Sequence, residues 1–109
     1  MIWAGSLDRR ITLQRATETT NDFGEKVPAW GLLATVWAGF KPVSDGEKWR
    51  AGMVEAREFA RFTIRYSSTV ADLSAKDRLL FDGDPWSITG VKELGRRQWL
   101  EITAERVAA

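Results

Sequence analysis

Between residues 57 and 66, polar and apolar side chains alternate without a break. Glu58, Ala60, Phe62, Ile64 and Tyr66 fall on one side; Arg57, Phe59, Arg61, Thr63 and Arg65 fall on the other. A period of two marks a strand with one buried face. The same alternation, over shorter runs, marks Arg10–Gln14 and Thr35–Lys41. In the latter, Val36, Ala38 and Phe40 share a face, while Trp37 points the other way and needs a cover. Leu79–Phe81 runs into Asp82-Gly83, a strong hairpin dipeptide, and returns as Trp86–Val91. Gly95 turns the chain again into Gln98–Ala104. Several short strands with regular turns predict a mainly β fold: a small antiparallel barrel or sandwich of about six strands.

The segments between the strands are polar. Ala16–Lys26 is rich in Thr, Asn, Asp, Gly and Glu, so residues 17–30 read as a long hairpin or an exposed loop around Asn21–Gly24. Ser67–Lys76 is polar apart from a short Val70–Leu73 turn. Ser44 and Glu47 have the spacing of a capping box. Trp49, Met53 and Ala56 follow at helical spacing, although Gly46 and Gly52 each weaken a helix by about 1 kcal/mol relative to Ala. Residues 45–55 are therefore expected to form a short helix or a mobile loop, within a projecting segment over residues 43–58. Residues 1–9 read as an N-terminal arm, and residues 1–109 as a single domain.

Composition narrows the function classes. Among 109 residues there is no Cys and no His. Thiolate and imidazole metal ligands, a thiol nucleophile and the commonest general base are therefore missing. Sixteen basic and fifteen acidic side chains leave a net charge of +1, and neither half of the chain is a polycation. Tight, general DNA binding is disfavoured. No apolar run approaches the ~20 residues of a membrane span, and Met1–Gly5 lacks the pattern of a signal peptide. Folding in a cytoplasm is the expectation.

Few motifs carry chemistry. Asp82 and Asp84 offer hard oxygen ligands on one turn, but Asp and Gly are also what a hairpin turn prefers. Glycine motifs that cradle phosphate are missing, and no cofactor is implied. Arg57, Arg61 and Arg65 form a row on one strand face at steps of about 13 Å, suited to phosphates or to an acidic partner. Arg96 and Arg97 sit at a hairpin tip. Six tryptophans exceed what one small barrel encloses, and Trp is common at interface hot spots. Trp3 and Trp49 are the candidate anchors.

Taken in order along the chain, these residues resemble a known family. Gly5–Gln14, Asn21–Gly24 with Trp30, and Thr35–Ala38 leading through Lys41-Pro42 to Ser44, Gly46 and Glu47 come first. Phe62–Tyr66 and the Asp82-Gly83 hairpin with its Trp86-Ser87-Ile88 return follow. The pattern is similar to the head–tail adaptor, or head-closure and stopper, proteins of tailed bacteriophages and of phage-like gene transfer agents. The resemblance implies a structural virion protein, not an enzyme, made in the host cytoplasm. It implies a ring of six or twelve copies in the neck, between a portal-bound adaptor and the tail terminator, around the channel through which double-stranded DNA leaves. It also implies that residues 43–58 project towards the channel, which makes Ser44, Glu47, Lys48, Trp49, Arg50 and Met53 the candidate lumen residues. Trp3, Arg57, Arg61, Arg65, Arg96 and Arg97 are the candidates for interface or DNA contact. No membrane partner is implied. The competing reading is a small β-barrel nucleic-acid-binding module that uses Phe59, Arg61 and Arg65. A metal enzyme built on Asp82 and Asp84 is the third.

Overall fold

The computed structural model of the protein describes residues 7–43 and 57–107. The strands are β1 (Arg9–Thr20), β2 (Lys26–Pro42), β3 (Arg57–Arg65), β4 (Asp77–Phe81), β5 (Asp84–Leu94) and β6 (Trp99–Val107). They close into one antiparallel barrel in the order β1-β2-β3-β6-β5-β4. The expected mainly β architecture is what the chain adopts, and among the described residues there is no helix. The short helix or loop expected over residues 45–55 lies outside them.

The alternation read from the sequence sets the two faces of the wall. Ile11 and Leu13 of β1, Ala38 of β2, Ala60, Phe62 and Ile64 of β3, and Leu79 of β4 are buried. So are Trp86 and Ile88 of β5 and Leu100, Ile102 and Ala104 of β6. A small barrel has room inside only for its own side chains, and small residues must alternate with large ones to fit. Here alanines at 38, 60 and 104 leave the volume that an aromatic cluster takes. The Phe62 ring lies 5.4 Å from Phe40, 5.4 Å from Phe81 and 5.7 Å from Trp86. Val70 and Leu73, in the otherwise polar 66–76 connection, are buried in the same core and stopper one end of the barrel.

Two turns show local chemistry at work. Asp82 and Gly83 both have positive φ, 53° and 80°, as a two-residue type I′ hairpin requires, and Gly has no Cβ to object. Residues 17–30 form the long hairpin, not a loop: β1 and β2 pair from Arg9↔Ala38 to Thr20↔Lys26. Its turn is tied by the Asn21 side chain, whose Oδ1 accepts from the amides of Phe23 at 3.0 Å and Glu25 at 2.9 Å. A bulge leaves Leu33 without a partner between Leu13↔Ala34 and Gln14↔Leu32, which bends the pair.

Because all pairings are antiparallel, the barrel has two distinct ends. At one, β1, β3 and β5 begin and β2, β4 and β6 finish; residues 44–56 leave and return here, through Val43 and Arg57. The other end carries the β1–β2 turn, the 66–76 connection and the β5–β6 turn. We call these the termini end and the hairpin end.

Candidate assembly surfaces

The predicted site residues separate along the barrel. Ser44, Glu47, Lys48, Trp49, Arg50 and Met53 lie outside the described residues, as does Trp3. The strands that flank residues 44–56 place that segment's ends at the termini end. Arg96 and Arg97 are exposed at the hairpin end, about 30 Å away along a strand the length of β3. Arg57, Arg61 and Arg65 run between them on the outer face of β3, as the alternation requires. The structure therefore does not gather the five described arginine candidates into one patch.

Nor is the arginine row a simple positive belt. Its outer face continues onto β6, where Glu105 pairs with Phe59 and Glu101 with Thr63 in the ladder. Arg57 donates to Glu105 at 2.8 Å. Arg65 lies over the Trp99 ring at 5.3 Å. Phe59, Arg61 and Arg65, the surface of the nucleic-acid reading, thus share their face with two carboxylates. Phosphates would meet mixed charge there, which weakens the counterion-release drive for binding.

Stacking explains how so small a barrel carries so many tryptophans. Arg10 covers Trp37 at 4.9 Å, Arg78 covers Trp30 at 4.3 Å and Arg106 covers Trp86 at 5.0 Å, besides the Arg65–Trp99 pair. Trp37 is still 53% exposed, on the face where the sequence required a cover. Trp86 is itself in the core; at Trp30, Trp37 and Trp99 the guanidinium shields an indole that the core does not take, at about 0.5–1 kcal/mol per exposed pair. The sequence reading missed these pairs, since no spacing rule links Arg78 to Trp30.

Two arginines fasten the ends of the barrel. At the termini end, the Arg106 Nε donates to Glu58 at 2.9 Å, and a second nitrogen of the same guanidinium bonds Asp84. The Glu58 hydrogen bond is the main reason that the Arg106 pKa is raised above its ordinary value. Asp84 is thereby committed to a guanidinium, and no group of potential metal ligands forms among the described residues. At the hairpin end, Arg15 donates to Asp77 through Nε at 3.0 Å and to Asp72 through two nitrogens at 3.1 Å each. Asp77 is itself buried and also accepts from the Ser74 amide at 3.0 Å. A cleft of about 500 Å³ lies between this clamp and the hairpin. Of its charged side chains, Asp72 and Asp77 both accept from Arg15, and Glu18 pairs with Lys26 at 3.9 Å.

The clamp is pH-dependent in a definite direction. Hydrogen bonds from Arg15, then its charge, hold the Asp72 carboxyl below its ordinary value, while Arg15 is raised by its bonds to Asp77 and Asp72. A carboxyl depressed in the folded state adds stability above its unfolded value, near pH 4, and loses it as the pH falls further. Limited proteolysis within residues 66–76 should therefore speed up as the pH falls below about 4, relative to its rate at about pH 6. Asp72→Asn should show the faster rate already at the higher pH. Equal rates for the two proteins there would remove Asp72 from the clamp.

Among the described residues, the barrel interior is filled by its own side chains, and the distinctive features lie on the outer wall and the extended hairpin. The chain matches the phage head completion protein family over residues 2–107 and belongs to that family. Among solved structures it is similar to protein SF1141 of Shigella flexneri 2a, with TM-score 0.70 and 28% identity, covering 99% of this chain and 98% of that one. It is also similar to a chain of the virion of a native gene transfer agent particle, with TM-score 0.67 and 22% identity, covering 94% and 96%. No curated protein gives a match. The chain is thus a structural protein of the head-completion type and a component of the virion.

Proposed function

We propose that the protein forms a closed ring in the neck of a tailed phage or gene transfer agent, between the portal-bound adaptor and the tail terminator. There it closes the filled head, retains the DNA and offers the surface on which the tail docks. The observation that carries this reading is the family match, which spans the whole barrel and not a fragment of it. A similar fold occurs in the virion of a native gene transfer agent particle, which supports a place in such a particle. A ring subunit needs two different faces that fit each other and two ends that fit neighbours above and below. The barrel supplies different wall segments and two chemically distinct ends. Net charge near zero suits a conduit, because strong binding would arrest DNA passage.

Particles assembled without the protein should package DNA, then lose it and fail to acquire tails. Imaging and DNA content of purified heads read this directly. Infectious, tailed particles made without it would overturn the assignment.

A further inference from the structure

The β1–β2 hairpin outruns the barrel. The last pair that joins β1 to β4 is Arg15↔Asp77, yet β1 and β2 stay paired from Ala16↔Trp30 to Thr20↔Lys26. That arm extends about 16 Å past the wall, at about 3.3 Å per residue. It carries Glu18, Asp22 and Glu25 against a single Lys26, all exposed. At its tip Phe23 is 88% exposed, a large ring held out to solvent by the Asn21 turn.

The β5–β6 hairpin has the opposite character. Lys92, Arg96 and Arg97 stand there, all exposed, against Glu93 and against Glu101, which pairs with Lys92 across the hairpin, so that the turn itself, with Arg96 and Arg97, is the basic part. Leu94 and Trp99, a cross-strand pair at its base, are half-buried and form an apolar footing. In the strand order of the barrel, β1 and β2 lie across from β6 and β5. Both hairpins turn at the hairpin end. One subunit thus carries an acidic arm with an apolar tip on one side. On the other side, at the same end, it carries a basic turn with an apolar base.

We infer that the β1–β2 arm of one copy docks on the β5–β6 turn of the next, with Asp22 and Glu25 facing Arg96 and Arg97 and Phe23 seated by Leu94 and Trp99. The occupant of each surface is a second copy of this chain. Two unlike patches on opposite sides make a heterologous contact, which closes to a ring only when repetition adds rotation without rise. Because the arm tip reaches about 16 Å past the wall, that condition is met when the barrel is tilted against the ring axis, which brings the tip level with the neighbour's turn. Opposite charges also fix the direction, since arm-to-arm and turn-to-turn meetings place like charges together.

This inference rests on the ring reading, and charge reversal separates the two. Asp22→Lys/Glu25→Lys and Arg96→Glu/Arg97→Glu should each cut incorporation into particles by about tenfold or more. Mixing the two variants should rebuild a ring of alternating copies, because every arm then meets a turn of opposite charge, and combining all four changes in one chain should restore incorporation as well. Melting temperatures should stay near wild type, because all four side chains are exposed. Normal incorporation of both reversed chains, or no rescue in the combined chain, would overturn the docking assignment while leaving the ring intact. Normal incorporation of Arg96→Glu/Arg97→Glu with loss of DNA retention would make the turn a DNA contact and would overturn it too. Wild-type particles whose collar shows no ring of this chain would instead overturn the ring reading. Cysteine supplies a check that does not depend on folding energetics. The chain has none, and Asp22 and Arg96 sit across the barrel from one another. An Asp22→Cys/Arg96→Cys chain should therefore give, on oxidation in particles, a ladder of cross-linked copies. Monomer alone would count against the contact.

Discussion

Arg15→Met is expected to lower the unfolding free energy by about 3 kcal/mol, the lower end of the cost of stripping one partner from a buried ion pair. The lower end applies because the Arg15 side chain is 38% exposed whereas that of Asp77 is 2% exposed, so water replaces only part of what the guanidinium supplies. The substitution keeps the aliphatic stem and removes the charge. It leaves the Asp77 carboxylate with the Ser74 amide and no cation, and it releases Asp72. For a domain of this size the melting temperature should fall by about 12 °C or more. Arg15→Lys should land between, since an ammonium keeps the charge but cannot fork to two carboxylates. Replacing both members, Arg15→Met with Asp77→Leu, should recover much of the loss by removing the stranded charge. A melting temperature for Arg15→Met within a degree or two of wild type would show that this ion pair does not close the hairpin end.

Phe62→Ala should be at least as damaging, at about 3–5 kcal/mol. Phe62 is fully buried, and the rings of Phe40, Phe81 and Trp86 all converge on it. Removing it opens a cavity inside a cylinder whose hydrogen-bonded wall cannot collapse inwards, so the transfer loss and the cavity loss add. Phe62→Leu should cost clearly less, because it fills most of the space. Denaturant unfolding with an unchanged slope and a lower midpoint is the expected record. A cost below about 1 kcal/mol for the alanine variant would mean that the core repacks around the gap, and that the aromatic cluster is not the centre of the barrel's stability.

These two positions differ in how plainly the sequence announces them. Phe62 sits in an unbroken alternation between Ala60 and Ile64, and a period of two permits one reading of its face. Arg15 was legible in principle: it follows Ile11 and Leu13 in the inward phase of β1, where a charge signals a buried partner. Its partners, Asp72 and Asp77, are 57 and 62 residues away, and nothing local names them. The same limit hid the arginine–tryptophan stacks. It also made the row of Arg57, Arg61 and Arg65 look more basic than it is, because Glu101 and Glu105 arrive from β6.

Strand positions, inward and outward faces and the Asp82-Gly83 turn are dictated locally, by a period of two and by residues that tolerate positive φ. The absence of Cys and His likewise needs no coordinates to narrow the chemistry. Closure of six strands into a barrel, the pairing of β1 with β4, the separation of Arg57 from Arg96 and Arg97 at opposite ends, and the placing of an acidic arm across from a basic turn are settled only in three dimensions. Each depends on which strand edges meet across long stretches of chain, and side-chain alternation carries no information about a strand's neighbours.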